Sequence, residues 1–291
     1  MATGIVAIGL FNAGQIFLAR LLLAICGLLW FFFVFIVAQR ALGQPERFWR
    51  ETKTIGTLTS VAGTSVFGTG LVLMTGLRIS YIFLVIAILI WATLIPINLR
   101  SLQKPTVGSS LLLTVSTESI SVLMTTIALV RGWSWLVPLA LGFSLIGVGL
   151  YIHVFRYFDF RQLSVGQGDH WILGGALAIS TLAASKGAAA MLHFQLLPSW
   201  HWLFTGFGFG LWLVTMLWLP ILVIFEVISP RFVYNLRRWS TVFPLGMYAA
   251  CSFALAVVSP QFVWIDLFAK FWVWIGFAAW LLVALSMLFK K

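Results

Sequence analysis

Thr54-Ile55-Gly56-Thr57-Leu58-Thr59-Ser60-Val61-Ala62-Gly63-Thr64-Ser65-Val66-Phe67-Gly68-Thr69-Gly70 carries no charge, and most of it is Gly, Ser or Thr. Not far before it stands a stretch of opposite character, Trp30-Phe31-Phe32-Phe33-Val34-Phe35-Ile36, which is bulky and oily. Small residues let helix backbones approach one another in a bilayer, whereas large apolar side chains suit lipid. The pair therefore reads as one inner and one outer membrane helix. The whole chain of 291 residues agrees: 62% are hydrophobic, 9% are charged, and the mean hydropathy is +1.06. A soluble domain carries roughly 25% charged residues, so a soluble globular or disordered protein is excluded. The 26 Phe and 15 Trp fit lipid-facing helices with aromatic belts at the interfaces.

The net charge of +11 does not point to nucleic acid, because there is no basic run and no polar domain to hold one. Two cysteines, Cys26 and Cys251, make no disulfide framework, and four scattered histidines argue against a metal enzyme. No cofactor is expected. Met1 to Phe11 is apolar without a basic segment ahead of it, so no cleavable signal is expected.

A spanning helix needs about 20 apolar residues. Breaks at Gly, Pro, Asn and charge clusters give ten segments, at 2–13, 17–39, 54–76, 79–99, 107–130, 133–155, 170–192, 201–228, 239–258 and 261–289. The break at Asn12-Ala13-Gly14-Gln15 separates the first two. Links within successive pairs are short, and links between pairs are longer and charged. The chain thus reads as a single all-α integral membrane domain over 1–291, a hairpin repeated five times (2–39, 54–99, 107–155, 170–228 and 239–289). Charge placement tests this topology. Arg40, Arg47, Arg50, Lys53, Arg100, Lys104, Arg156, Arg161, Arg231, Arg237, Arg238, Lys290 and Lys291 fall on one side, and Arg20, Arg78, Arg131, Lys186 and Lys270 on the other. The 13-to-5 asymmetry places both termini in the cytoplasm.

Odd segments are rich in small and hydroxyl residues, and even segments are oily. In the fifth, Ser110, Thr114, Thr117, Glu118, Ser121 and Thr125 share one helical face, and Gly174, Thr181 and Ser185 form a similar face in the seventh. Such stripes serve either close helix packing or a water-filled path. Recurrence in five hairpins favours a ring of odd helices about a central pore, a construction common among transporters. Glu118 is the one carboxylate deep in a span, either a proton site or a protonated bridge between helices. Arg20 reads as a snorkelling anchor. Lys186, one residue beyond the polar face of the seventh segment, could be a snorkelling anchor too or could draw anions to an outer mouth. Asp169 reads as an N-cap for the seventh helix, Glu226 as water-accessible, His193 and His201 as solvated, and Asp266 with Lys270 as an i,i+4 pair. There is no phosphate loop, no nucleophile with a neighbouring base and no metal-spaced cluster, so no enzyme is expected.

Four stretches resemble one family. Met1-Ala-Thr-Gly-Ile-Val-Ala-Ile-Gly9, Thr114-Val-Ser-Thr-Glu-Ser119, Gly168-Asp-His-Trp-Ile-Leu-Gly-Gly-Ala-Leu-Ala-Ile-Ser180 and Trp239-Ser-Thr-Val-Phe-Pro-Leu-Gly-Met-Tyr248 are similar to the first, fifth, seventh and ninth helices of the tellurite-resistance/dicarboxylate transporter family. That family includes plant slow anion channels, fungal malate permeases and fungal sulfite exporters. The likeness spans the chain and departs at the N-terminus, where members usually carry more residues. It implies ten transmembrane helices in five hairpins around a central pore, anion transport across a plasma or inner membrane, and often a homotrimer. It also implies that a ninth-helix phenylalanine plugs the pore, here Phe243 beside Pro244. Phe243 shares a face with Gly246, Ala250 and Ala254, so a large ring stands on a wall of small residues. The candidate pore lining is Thr114, Thr117, Glu118, Ser121, Thr181, Ser185, Gly246 and Ala250, with Lys186 at the outer mouth. Small inorganic anions or C4-dicarboxylates are the expected cargo. The alternatives are a proton-coupled carboxylate carrier using Glu118, and a tellurite or sulfite exporter.

Overall fold

The computed structural model describes residues 1–165, 168–230 and 235–288; Arg231, Phe289, Lys290 and Lys291 of the expected topology lie outside them. The described chain is helical. Its main helices are α1 (Ala2–Asn12), α2 (Ile16–Gly43), α3 (Thr59–Thr75), α4 (Ser80–Arg100), α5 (Leu112–Arg131), α6 (Leu136–Phe155), α7 (Ile172–His193), α8 (His201–Ile228), α9 (Trp239–Val258) and α10 (Val263–Leu288). Among the described residues nine of these are long and apolar enough to cross a membrane. The exception is α1, whose 11 residues rise only about 16 Å at 1.5 Å each.

Helix ends follow the expected punctuation. Gly76 and Gly132 close α3 and α5 in the left-handed conformation, with φ of 62° and 72°. A side chain there would be strained, which is why glycine stands at both positions. Two helix ends differ from the sequence reading. α2 runs to Gly43, past Gln39, and a short helix, Pro45–Glu51, follows it. Asp169 is not the N-cap of the seventh segment: Gly168 holds that place with φ 109°, and no side chain caps the turn. The chain is crowded there, since a Cβ on Gly108 would strike the backbone carbonyl of Asp169.

Burial divides the helices into two sets. In the most apolar stretches of α3, α5, α7 and α9, 67%, 89%, 89% and 78% of residues are buried, and Ala2 to Leu10 of α1 are buried throughout. In α2, α4, α6, α8 and α10 the share is 22%, 33%, 33%, 17% and 11%. Each odd helix packs on the next, and α9 returns to α1, so the five close a ring; each even helix lies against its predecessor.

Indole N–H groups tie the two sets together. Trp30 of α2 donates to Thr64 of α3 at 2.9 Å, Trp91 of α4 to Thr117 of α5 at 2.8 Å, Trp212 of α8 to Ser252 of α9 at 2.8 Å, and Trp280 of α10 to Thr3 of α1 at 3.0 Å. Each bond satisfies a donor that lipid could not. Helix α6 has no tryptophan. There Glu118 of α5 presses on Gly147 of α6, where an added Cβ would fall 2.6 Å from its carboxyl carbon.

Candidate functional site: a cavity inside the ring

A cavity of about 600 Å³ lies within the ring of odd helices. All five contribute: Ile5, Ile8 and Asn12 from α1, Val66 and Thr69 from α3, Ser119, Val122 and Leu129 from α5, Ile179, Leu182, Lys186 and Ala189 from α7, and Met247, Phe253, Ala254, Ala256 and Val257 from α9. In α1, α3 and α7 the spacings of three and four residues are those of a single helix side, whereas α9 turns a broader surface to the cavity near its C-terminal end. At one end the lining residues Ser119, Val122 and Met247 are buried. At the other, where Pro260, Phe262, Val263 and Asp266 join the wall, Val257 and Val263 are exposed. The cavity is therefore open at the end carrying the short links and closed at the other.

Lys186 lines this cavity, and its Nζ donates to Thr126 Oγ1 of α5 at 3.1 Å. Asp266, at the open end, pairs with Lys270 one turn along α10 at 2.6 Å, the i,i+4 pair read from the sequence. Among the described residues no carboxylate forms an ion pair with Lys186.

Thr114, Thr117, Glu118, Ser121, Thr181, Ser185, Gly246 and Ala250 lie outside the lining of this cavity. Their surroundings explain the placement. Thr117 accepts from Trp91 and donates to Leu113 O, Ser121 donates to Ala140 O of α6 at 2.7 Å, and Thr181 meets Thr215 of α8 at 3.3 Å. Ser185 abuts Gly208 of α8, and Glu118 is fully buried against α6. Thr117, Ser121, Thr181 and Ser185 thus face outer helices, while Glu118 also meets Ser180 of α7. One residue along an α-helix turns the side chain by about 100°, so Lys186, next to Ser185, looks into the cavity instead. Thr114 and Ala250 are fully buried. Gly246 is small because α1 and α10 meet it: an added Cβ would approach Ile5 Cγ2 to 2.9 Å, and a Cβ on Gly276 would lie 3.3 Å from its Cα.

Phe243 is among the largest fully buried side chains and precedes the lining residue Met247 by one helical turn. Pro244, inside α9, rests on α7, where a Cβ at Gly175 would come within 2.7 Å of its ring. Sequence reasoning missed Asn12, Ser119, Thr126 and Asp266 as cavity neighbours.

A second polar group sits at the opposite ends of α7, α8 and α9. Glu226 accepts from Trp171 at 3.0 Å and pairs with Arg238 at 2.7 Å, with His170 3.8 Å away. It ties the three helix ends together, and its side chain remains 22% exposed. Among the described residues no cluster of His, Cys, Asp or Glu is placed to hold a metal ion.

No curated protein and no solved structure gave a significant match to the chain. A family model, described as voltage-dependent anion channel, matches residues 1–288. A ring of helices enclosing a cavity with a lysine on its wall suits that description, and the match covers nearly the whole sequence: the chain belongs to the voltage-dependent anion channel family.

Proposed function

We propose that the protein conducts small anions across a plasma or inner membrane along the axis of α1, α3, α5, α7 and α9. One observation carries this reading: all five odd helices share a single cavity whose wall bears a lysine without a carboxylate partner among the described residues. In this reading the ten helices form five hairpins with both termini in the cytoplasm. The short α1 serves as the tenth crossing because its neighbours α3 and α9 shield it from lipid. Lys186 stands at the outer entry and attracts anions.

Phe243 closes the path. It lies one helical turn beyond the lining residue Met247, and an apolar ring in a tight tube excludes water, which stops ions by dewetting. Truncating a packed core Phe opens a void and costs roughly 3–5 kcal/mol. Truncating a plug joined to the lumen lets water enter. Phe243→Ala should therefore raise chloride or nitrate current in planar bilayers sharply while melting close to wild type, and Phe243→Leu should fall between. An Ala variant that melts far lower and conducts no better would overturn the gate. The same recordings under malate gradients separate inorganic anions from dicarboxylates, and a pH gradient tests the proton-coupled alternative. A homotrimer belongs to this reading and is tested by cross-linking in membranes.

A further inference from the structure

We propose that Lys186, held to α5 by Thr126, binds one small monovalent anion within the cavity, a proposal that rests on the conduction reading only for its role in transport. Thr126 Oγ1 donates its own proton to Val122 O at 2.7 Å, so toward Lys186 it acts as acceptor. An ammonium has three donors. Thr126 takes one, which leaves two on a side chain that lines the cavity. Asp266, the acid on the same wall, is bound to Lys270. The walls near the lysine are otherwise mostly apolar, with Ile8, Val122 and Leu182 among them. A cation so placed gains most from a counter-ion that also accepts hydrogen bonds.

The same inventory sets the charge of the ligand. Lys186 is the one cation on the described lining. A monovalent anion is balanced by it. A dianion such as sulfate or malate²⁻ leaves one negative charge uncompensated beside apolar walls, after a larger loss of hydration. Nitrate, chloride and formate fit, and dianions do not. The competing view is that Lys186 is a strut joining α7 to α5 through Thr126.

Thermal melting of the purified full-length protein, titrated with sodium nitrate or with sodium sulfate at matched ionic strength, separates the two. Saturable stabilisation by nitrate and none by sulfate is expected of wild type. Lys186→Met should bind nitrate at least about tenfold more weakly, the scale of one charge-assisted hydrogen bond. Thr126→Val and Lys186→Arg keep the charge and should retain saturable nitrate stabilisation. Equal stabilisation by nitrate and sulfate, or a Lys186→Met protein as responsive as wild type, overturns the site. So does a Thr126→Val protein as insensitive to nitrate as Lys186→Met. Conduction is read separately in the Phe243→Ala background. Current in that background with no nitrate effect on melting sinks the site and spares the pathway. Nitrate binding that depends on Lys186 without any current supports the site and sinks the pathway.

Discussion

Two faces of α5 lie side by side and do opposite jobs. One carries Thr117, Glu118 and Ser121 and looks outward, to Trp91 of α4 and to Gly147 and Ala140 of α6. The other carries Ser119, Val122 and Leu129 and lines the cavity. The outward face is the more polar of the two. On that face the hydroxyls of Thr117 and Ser121 mark where a hydrogen-bond partner waits, while Thr69 and Ser119 stand on the cavity wall. The tryptophan clasps at Thr3, Thr64, Thr117 and Ser252 repeat that logic around the ring.

The largest contrast should come from charge. Val122→Asp places a carboxylate on the cavity wall and should cut anion current in the Phe243→Ala background by more than about tenfold, the scale of one charge interaction in a poorly solvated site. Ser121→Asp would bury that charge against α6 and should instead impair folding, seen as lost monodisperse protein. If the Ser121 variant folds and blocks while the Val122 variant folds and conducts freely, the two faces have been assigned in reverse.

A smaller effect is expected from the clasps. Trp91→Phe leaves Thr117 without its donor, and hydrogen bonds between membrane helices average about 0.6 kcal/mol with a maximum near 1.7. Melting should drop accordingly, with conductance and ion preference unchanged. A shift in ion preference would place Thr117 on the path.

Glu118 sharpens the comparison further. Gln is nearly isosteric with a protonated carboxyl and can make similar hydrogen bonds. On the outward face Glu118→Gln should be close to neutral for stability, with flux unchanged at every pH tested. Loss of pH-dependent flux in a well-folded Gln variant would revive the proton-coupled carrier.

The smallest effect concerns the link after α2. The hydrogen bond from Arg47, aided by the charge of Arg40, holds the Glu51 carboxyl below its usual range. A depressed carboxylate stabilises the fold above its unfolded pKa, and that contribution is lost as pH falls through the folded value. Glu51 keeps 36% of its side-chain surface exposed and its partners are more exposed still, so the change should be slight. Wild type should lose a little more melting temperature on acidification than Glu51→Gln, and an equal loss in both would show the pair to be inert.

Much of this arrangement was legible in the residues. The helix limits, the turn at Gly14, the contrast of oily and small-residue segments and the Asp266–Lys270 pair all follow from pattern and local chemistry. Rotation about each helix axis did not. The fifth segment's stripe marks a face, but a single chain of hydroxyls cannot say whether an indole or water lies opposite. Lys186 was the better guide, because an ammonium, unlike a threonine, cannot satisfy itself on its own helix carbonyl while remaining charged in lipid. Asp169 looked like a cap because Asp often is one; the crowded approach of Gly108 set a Gly168 turn there instead. The run of α2 to Gly43 was hidden because Gln39 and Arg40 read as its polar end.

The central claim is that anions follow the Val122 face of α5 and not the Ser121 face. The most direct measurement is thiol accessibility. Cys26 and Cys251 are both buried, so single cysteines at 122 and 121 can be compared in a Cys26→Ala, Cys251→Ala, Phe243→Ala background. A membrane-impermeant anionic methanethiosulfonate reagent should react at Val122→Cys and block the current, and leave Ser121→Cys unmodified. Rapid modification and block at Ser121→Cys, with Val122→Cys untouched, would contradict the account.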